Sequence, residues 1–203
     1  MSGLDALIAK SLKLIVKDNL GDVTFEKIEN RLFEKYGIGF TQAVEDFEKL
    51  DTVLREFFGG GAEGIEKKIL DKIVIMEESK DAEKQWITLE DSRLMELILR
   101  SLGDEDKKNI INTVMGEPKI ISDILETSNI PQTSGYRKIN SLIDDGMLLP
   151  KGYVTTHDGK KVTKYQAIFE NVSISIEKNK IVVKILPTRE SVNESRIMQI
   201  VCS

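Results

Sequence analysis

Apolar residues recur every three or four positions through the first part of the chain, the spacing of one buried face on a helix. Leu4, Leu7, Ile8, Leu12, Ile15 and Val16 form the first such stripe, closed by Asn19-Leu20-Gly21. A second helix is predicted from Thr24 to Tyr36, with Phe25, Ile28, Leu32 and Phe33 inward and Gly37-Ile38-Gly39 as its stop. A third starts at Thr41 as N-cap and runs to Phe58 through Val44, Phe47, Leu50, Val53, Leu54 and Phe57. After Gly59-Gly60-Gly61 a fourth covers Ala62 to Met76, with Ile65, Ile69, Leu70 and Ile73 inward. Four amphipathic helices with short breaks make a small helical domain. Residues 77–86 are polar and charged up to Trp86 and read as a helical connection at a domain boundary. A fifth helix is expected from Thr88 to Leu102, with Asp91 three residues into it.

The pattern changes after Gly103. Asp104–Met115 reads as a helix with Ile110, Ile111 and Val114 inward. Pro118 suits the first turn of the next helix, which runs to Thr127 over Ile121, Ile124 and Leu125. Ser128-Asn129-Ile130 is a turn, and Pro131 opens a helix ending at Asp144-Asp145-Gly146 with Tyr136, Ile139, Leu142 and Ile143 buried. From Met147 the period drops to two. Tyr153–Thr156 and Val162–Tyr165 flank His157-Asp158-Gly159-Lys160, and Asp-Gly between β-prone runs marks a hairpin. Val172, Ile174 and Ile176 face Ile181, Val183 and Ile185 across a second turn, and Pro187 closes the sheet region. The tail ends in a short helix or strand. The fold class expected is mainly α (α+β), with residues 1–85 as a helical domain and 86–203 as a second domain carrying the hairpins.

Composition narrows the role. The 203 residues are 40% hydrophobic and 31% charged, which fits a packed chain and not a disordered one. No apolar run reaches the roughly 20 residues that span a bilayer, and the N-terminus lacks a signal-peptide pattern. The expected location is the cytoplasm, with no membrane partner. A single cysteine (Cys202) and a single histidine (His157) cannot build a Cys/His zinc site. Neither a metal nor a cofactor is expected.

Net charge is −5, an unpromising figure for a polyanion binder until it is divided. Residues 1–85 hold 13 basic and 18 acidic side chains, whereas 86–203 hold 16 of each. Within 131–169 six basic residues face three acidic ones. The local field, not the sum, governs phosphate binding.

Helix, helix, short turn, helix and basic hairpin is the order of a winged helix-turn-helix. Its third helix lies in the major groove with its first residues at the base edges. With Tyr136, Ile139 and Ile143 inward, Gln132, Thr133, Ser134, Arg137, Lys138 and Ser141 point outward. Gln reads adenine and Arg reads guanine with paired hydrogen bonds, while Ser, Thr and Lys suit phosphates. The hairpin adds His157, Lys160, Lys161 and Lys164. The stretch ISDILETSNIPQTSGYRKINSLIDDGMLLPKGYV resembles the winged helix-turn-helix of ArsR-like prokaryotic and archaeal regulators. That resemblance, over about residues 104–170, implies that Gln132, Thr133, Ser134, Arg137 and Lys138 face the groove. Metal-sensing members carry Cys or His ligands on these helices, and this chain has none there. The stretches NLGDVTFEKIENRLFEKYGI and EDFEKLDTVLREFFGGGAEGIEKKIL resemble a helical output domain of ammonia-oxidising archaea, over about residues 5–75.

The function expected is therefore a transcriptional regulator that binds double-stranded DNA as a homodimer. The N-terminal domain is a site for a protein partner. Helix 88–102, the hairpin tip at Lys178–Lys180 and the tail with Ile197, Met198, Ile200 and Val201 are the surfaces offered for pairing. The alternative is a winged-helix adaptor that binds protein and not DNA. Catalysis finds no support: there is no second His, no Gly-x-Ser-x-Gly, and the Gly59–Gly64 run lacks the Gly-Lys-Ser/Thr of a phosphate loop.

Overall fold

The computed structural model describes residues 3–77 and 85–201. The chain is α+β, and the two sheets among the described residues are antiparallel. Helix α1 (Gly3–Leu20) buries the predicted stripe from Leu4 to Val16. Helix α2 (Asp22–Tyr36) follows Gly21 and ends on Gly37, whose φ of 67° is the left-handed conformation that a helix C-cap needs. Its inward residues are Phe25, Ile28 and Leu32. Phe33, expected beside them, is 69% exposed, because it stands about 100° round the helix from Leu32.

The single helix expected from Thr41 to Phe58 is two: α3 (Phe40–Glu45) and α4 (Phe47–Phe58), broken at Asp46. Gly39, not Thr41, caps the first, with its N–H donating to the Gln42 side chain at 3.1 Å. Phe40 thereby enters the core, where its ring lies 5.0 Å from that of Phe25. A 3₁₀ turn over Gly59–Gly61 leads into α5 (Ala62–Leu70). That helix stops short of Met76, because Val74-Ile75-Met76 forms β1 (Val74–Met76) against β2 (Ile87–Leu89).

Thr88 accordingly lies in a strand. The next helix, α6 (Ser92–Gly103), begins four residues later, where the Asp91 carboxylate accepts from the Arg93 and Leu94 N–H groups. The connection expected to be helical lies mostly outside the described residues. At its described ends the Glu77 N–H donates to the Trp86 carbonyl at 2.9 Å, a hairpin pairing. Residue 85 thus falls between two paired strands.

Helix α7 (Glu105–Val114) is capped by Asp104. Pro118 does not open a helix. It precedes a two-residue strand, β3 (Lys119–Ile120), and α8 (Ile121–Thr127) follows. Then come α9 (Gln132–Asp144), β4 (Leu148–Thr155), β5 (Lys161–Ala167), β6 (Phe169–Glu177) and β7 (Lys180–Pro187). Two short helices, α10 (Arg189–Glu194) and α11 (Arg196–Val201), form the tail. One sheet runs β1-β2-β7-β6 and the other β3-β5-β4.

Helix α1 binds the two halves of the sequence together. Its Asp5 carboxylate accepts from the Ser195 hydroxyl and from the N–H groups of Arg196 and Ile197, so it caps α11. Ser11 donates to Asp91 at 2.6 Å. Burial pushes the Asp5 carboxyl above its ordinary range, against those hydrogen bonds. At Asp91 burial pushes the same way, but the Arg93 guanidinium, the Ser11 hydroxyl and the Leu94 N–H outweigh it and hold the group low. A Cβ on Gly146 would meet the Leu7 backbone nitrogen at 2.8 Å, so α1 crosses directly over the exit of α9. One apolar core runs from Leu4 through Ile98, Ile139 and Val183 to Met198. Among the described residues no helix is long and apolar enough to cross a membrane.

Candidate nucleic-acid interface

Three helices and the sheet β3-β5-β4 build the region that the sequence marks as basic. Helix α8 ends in the left-handed residue Asn129 (φ 52°), which lets the Ile130 N–H reach back to the Leu125 carbonyl at 3.0 Å. Pro131 then starts α9, its carbonyl accepting from the Gly135 N–H at 2.9 Å and from the Ser134 hydroxyl at 3.1 Å. Where α9 crosses α8 there is no room for a side chain. A Cβ on Gly135 would stand 2.2 Å from Leu125 Cδ2.

That crossing sets the faces of α9. Gly135, Ile139 and Leu142 point inward. Tyr136, expected to be buried with Ile139, is 45% exposed, because the inward stripe starts one residue earlier, at a glycine. The outward face is Gln132, Thr133, Tyr136, Arg137 and Asn140, all exposed and with no acid among them. Tyr136 and Asn140 were not among the expected contacts. Their signal is the four-residue step from Gln132, visible once Gly135 is recognised as the packing position.

Three residues expected on that face are turned or held elsewhere. Ser134 is half-buried and bonded to Pro131. Lys138 reaches the start of α7, with Nζ at 2.6 and 2.8 Å from the Asp104 oxygens and 2.9 Å from Asp106 Oδ2. Asp104, then Asp106, hold the ammonium above its ordinary pKa, and Lys138 holds the Asp104 carboxyl below its own. Ser141 accepts from Lys107 Nζ at 2.8 Å and donates to Asp145 at 3.3 Å. Lys138 and Ser141 thus fasten α9 to α7, and the Lys138 charge is already answered.

The hairpin β4–β5 forms where Asp158-Gly159 predicts it, with a register shift between Pro150 and Tyr153. His157, Lys160 and Lys161 are exposed at its tip. Lys160 lies 2.8 Å from Asp158, which also accepts from the Thr156 hydroxyl. Lys161 Nζ stands 4.4 Å from the centre of the exposed Tyr153 ring, a cation–π contact. Lys164 is half-buried, opposite Ile120 in β3. The short strand β3, which braces this hairpin, escaped the sequence pattern because two residues have no periodicity.

No protein-family model matches the chain, and no curated protein and no solved structure matches it.

Proposed function

We propose that the chain is a DNA-binding transcriptional regulator whose residues 104–167 act as a winged helix-turn-helix. The observation that carries this reading is the outward face of α9. It offers Gln132, Thr133, Arg137 and Asn140 with no carboxylate before Asp144, on a helix locked at a fixed crossing by Gly135. Those side chains can hydrogen-bond base edges in a major groove. The order α7, β3, α8, α9, β4, β5, with β3 paired to the hairpin, fits the same reading, as does the ArsR-like resemblance of the sequence. Lys160, Lys161 and His157 supply a phosphate-facing wing. Lys138 and Ser141 serve instead as braces for the reading helix. The regulator acts in the cytoplasm, as a homodimer, by binding and not by catalysis.

Exposed Tyr136 and Tyr153 favour a second reading, a protein-binding adaptor, since tyrosine is enriched where proteins meet. Fluorescence anisotropy with duplex DNA across a salt series separates the two. A regulator loses affinity steeply as salt rises. Arg137→Ala then costs about 1–3 kcal/mol at the preferred site, and losing Lys160 or Lys161 flattens the salt slope by about one unit each. Duplex binding that is absent at low salt, or indifferent to Arg137→Ala, supports the adaptor.

A further inference from the structure

Of the three surfaces that the sequence offers for pairing, two are consumed by the fold. Leu94 and Ile98 of α6 and Ile197 and Met198 of α11 are buried. The hairpin β6–β7 is not. Near its base Val183 and Ile185 are fully buried, but on the same face toward the tip Ile174 is 47%, Ile181 50% and Ile176 77% exposed.

The outer edge of β6 is also open. It ends the order β1-β2-β7-β6, so one side of its backbone has no neighbouring strand among the described residues. The turn at Lys178-Asn179, both with positive φ, makes Glu177 and Lys180 a hydrogen-bonded pair. Alternation along the ladder then directs the N–H and C=O groups of Ser173 and Ser175 toward β7. Those of Val172, Ile174 and Ile176 point out of the sheet edge. The segment Asn171–Ile176 carries no charge and no proline, the devices by which edge strands avoid one another.

We propose that β6 is a homodimer interface, at which two copies pair antiparallel about a twofold axis through Ile174. Ile174 then faces its own copy, and Val172 faces Ile176 of the second chain. Each of these pairs exchanges two backbone hydrogen bonds. The exposed isoleucines of both copies form one apolar strip on a single face of a sheet that continues across the axis. The strand's own alternation fits this register, since Val172 and Ile176, and likewise Ser173 and Ser175, stand symmetrically about Ile174. Beyond the ladder the register brings the Glu170 end of each strand, at the register shift of β6, near the Lys178 turn of the other. Opposite charges across a strand pair are favourable, and like charges are not. The surface is independent of the DNA reading.

Sedimentation velocity of the full chain from low to high micromolar concentration tests it. The expected result is a shift from 22.9 kDa toward twice that mass as concentration rises. Ile174→Lys puts two like charges on the axis at a half-exposed site, so the protein becomes monomeric with its circular dichroism spectrum unchanged and its Tm no longer dependent on concentration. Glu170→Lys and Lys178→Glu each raise the dimer dissociation constant several-fold, and the two together in each chain restore it. A wild type that stays monomeric throughout, or a dimer untouched by Ile174→Lys, overturns the proposal. A double reversal that fails to recover overturns the Ile174-centred register. Loss of duplex binding with these masses intact would count against the regulator alone.

Discussion

Adjacent residues on α9 have opposite employment. Arg137 extends from the exposed face, whereas Lys138 is held by Asp104 and Asp106. Lys138→Ala should therefore act on stability, by roughly 1 kcal/mol for a partly exposed ion pair, seen as a lower Tm. It should leave duplex affinity and its salt slope unchanged, whereas Arg137→Ala should weaken binding at the preferred site and leave Tm unchanged. Glu66 makes a second residue-scale prediction. It is 4% exposed, its Oε1 has no hydrogen-bond partner, and burial followed by repulsion from Asp51 raises its pKa from the ordinary 4.5 to about 7. A carboxyl with a raised pKa binds its proton more tightly in the folded state. Its contribution to stability is complete below about pH 4.5 and is lost as the pH rises toward 7. Urea unfolding of Glu66→Gln across this window should lack that decline. The sequence marks Arg137 and Lys138 alike as basic and outward. The acidic partners of Lys138 lie about thirty positions upstream, and only the helix crossing brings them near.

Among the elements, the α8–α9 crossing matters most for the proposed interface. Gly135→Ala drives a methyl group into Leu125, and overpacking of this kind costs about 1–3 kcal/mol. Thermal unfolding should register that loss, and duplex binding should fall even though no contact residue has changed. Most long elements were legible, because a stripe such as Leu4 to Val16 leaves no other reading. The errors lie where tertiary pairing overrides local pattern. Val74–Met76 continues a helical stripe on paper, yet its β-branched residues pair with Ile87–Leu89. Pro118 can start a helix, but Lys119 and Ile120 are drawn to Tyr165 and Lys164. Tyr136 was misassigned because glycine carries no hydrophobic signal, although its missing side chain is what makes Gly135 the packing position.

Across the whole molecule, the sheet β1-β2-β7-β6 and helix α1 join residues far apart in sequence. Unfolding should accordingly be one cooperative transition, with Trp86 fluorescence and helical circular dichroism coinciding in urea. Two separated transitions would count against a shared core. Asp5→Ala should be costly beyond its size, by about 1–3 kcal/mol, because it strands buried donors at the start of α11. The same contact has a consequence for how the protein is made. Asp5 and its partner Ser195 stand 190 positions apart, so the carboxylate is synthesised long before the hydroxyl that meets it. Helices α2, α3 and α5 can cover part of the first helix early, but its contacts with α10 and the start of α11 stay open until those 190 positions have been added. Closure across such a separation slows folding, and the apolar surface that it covers is exposed to aggregation until then.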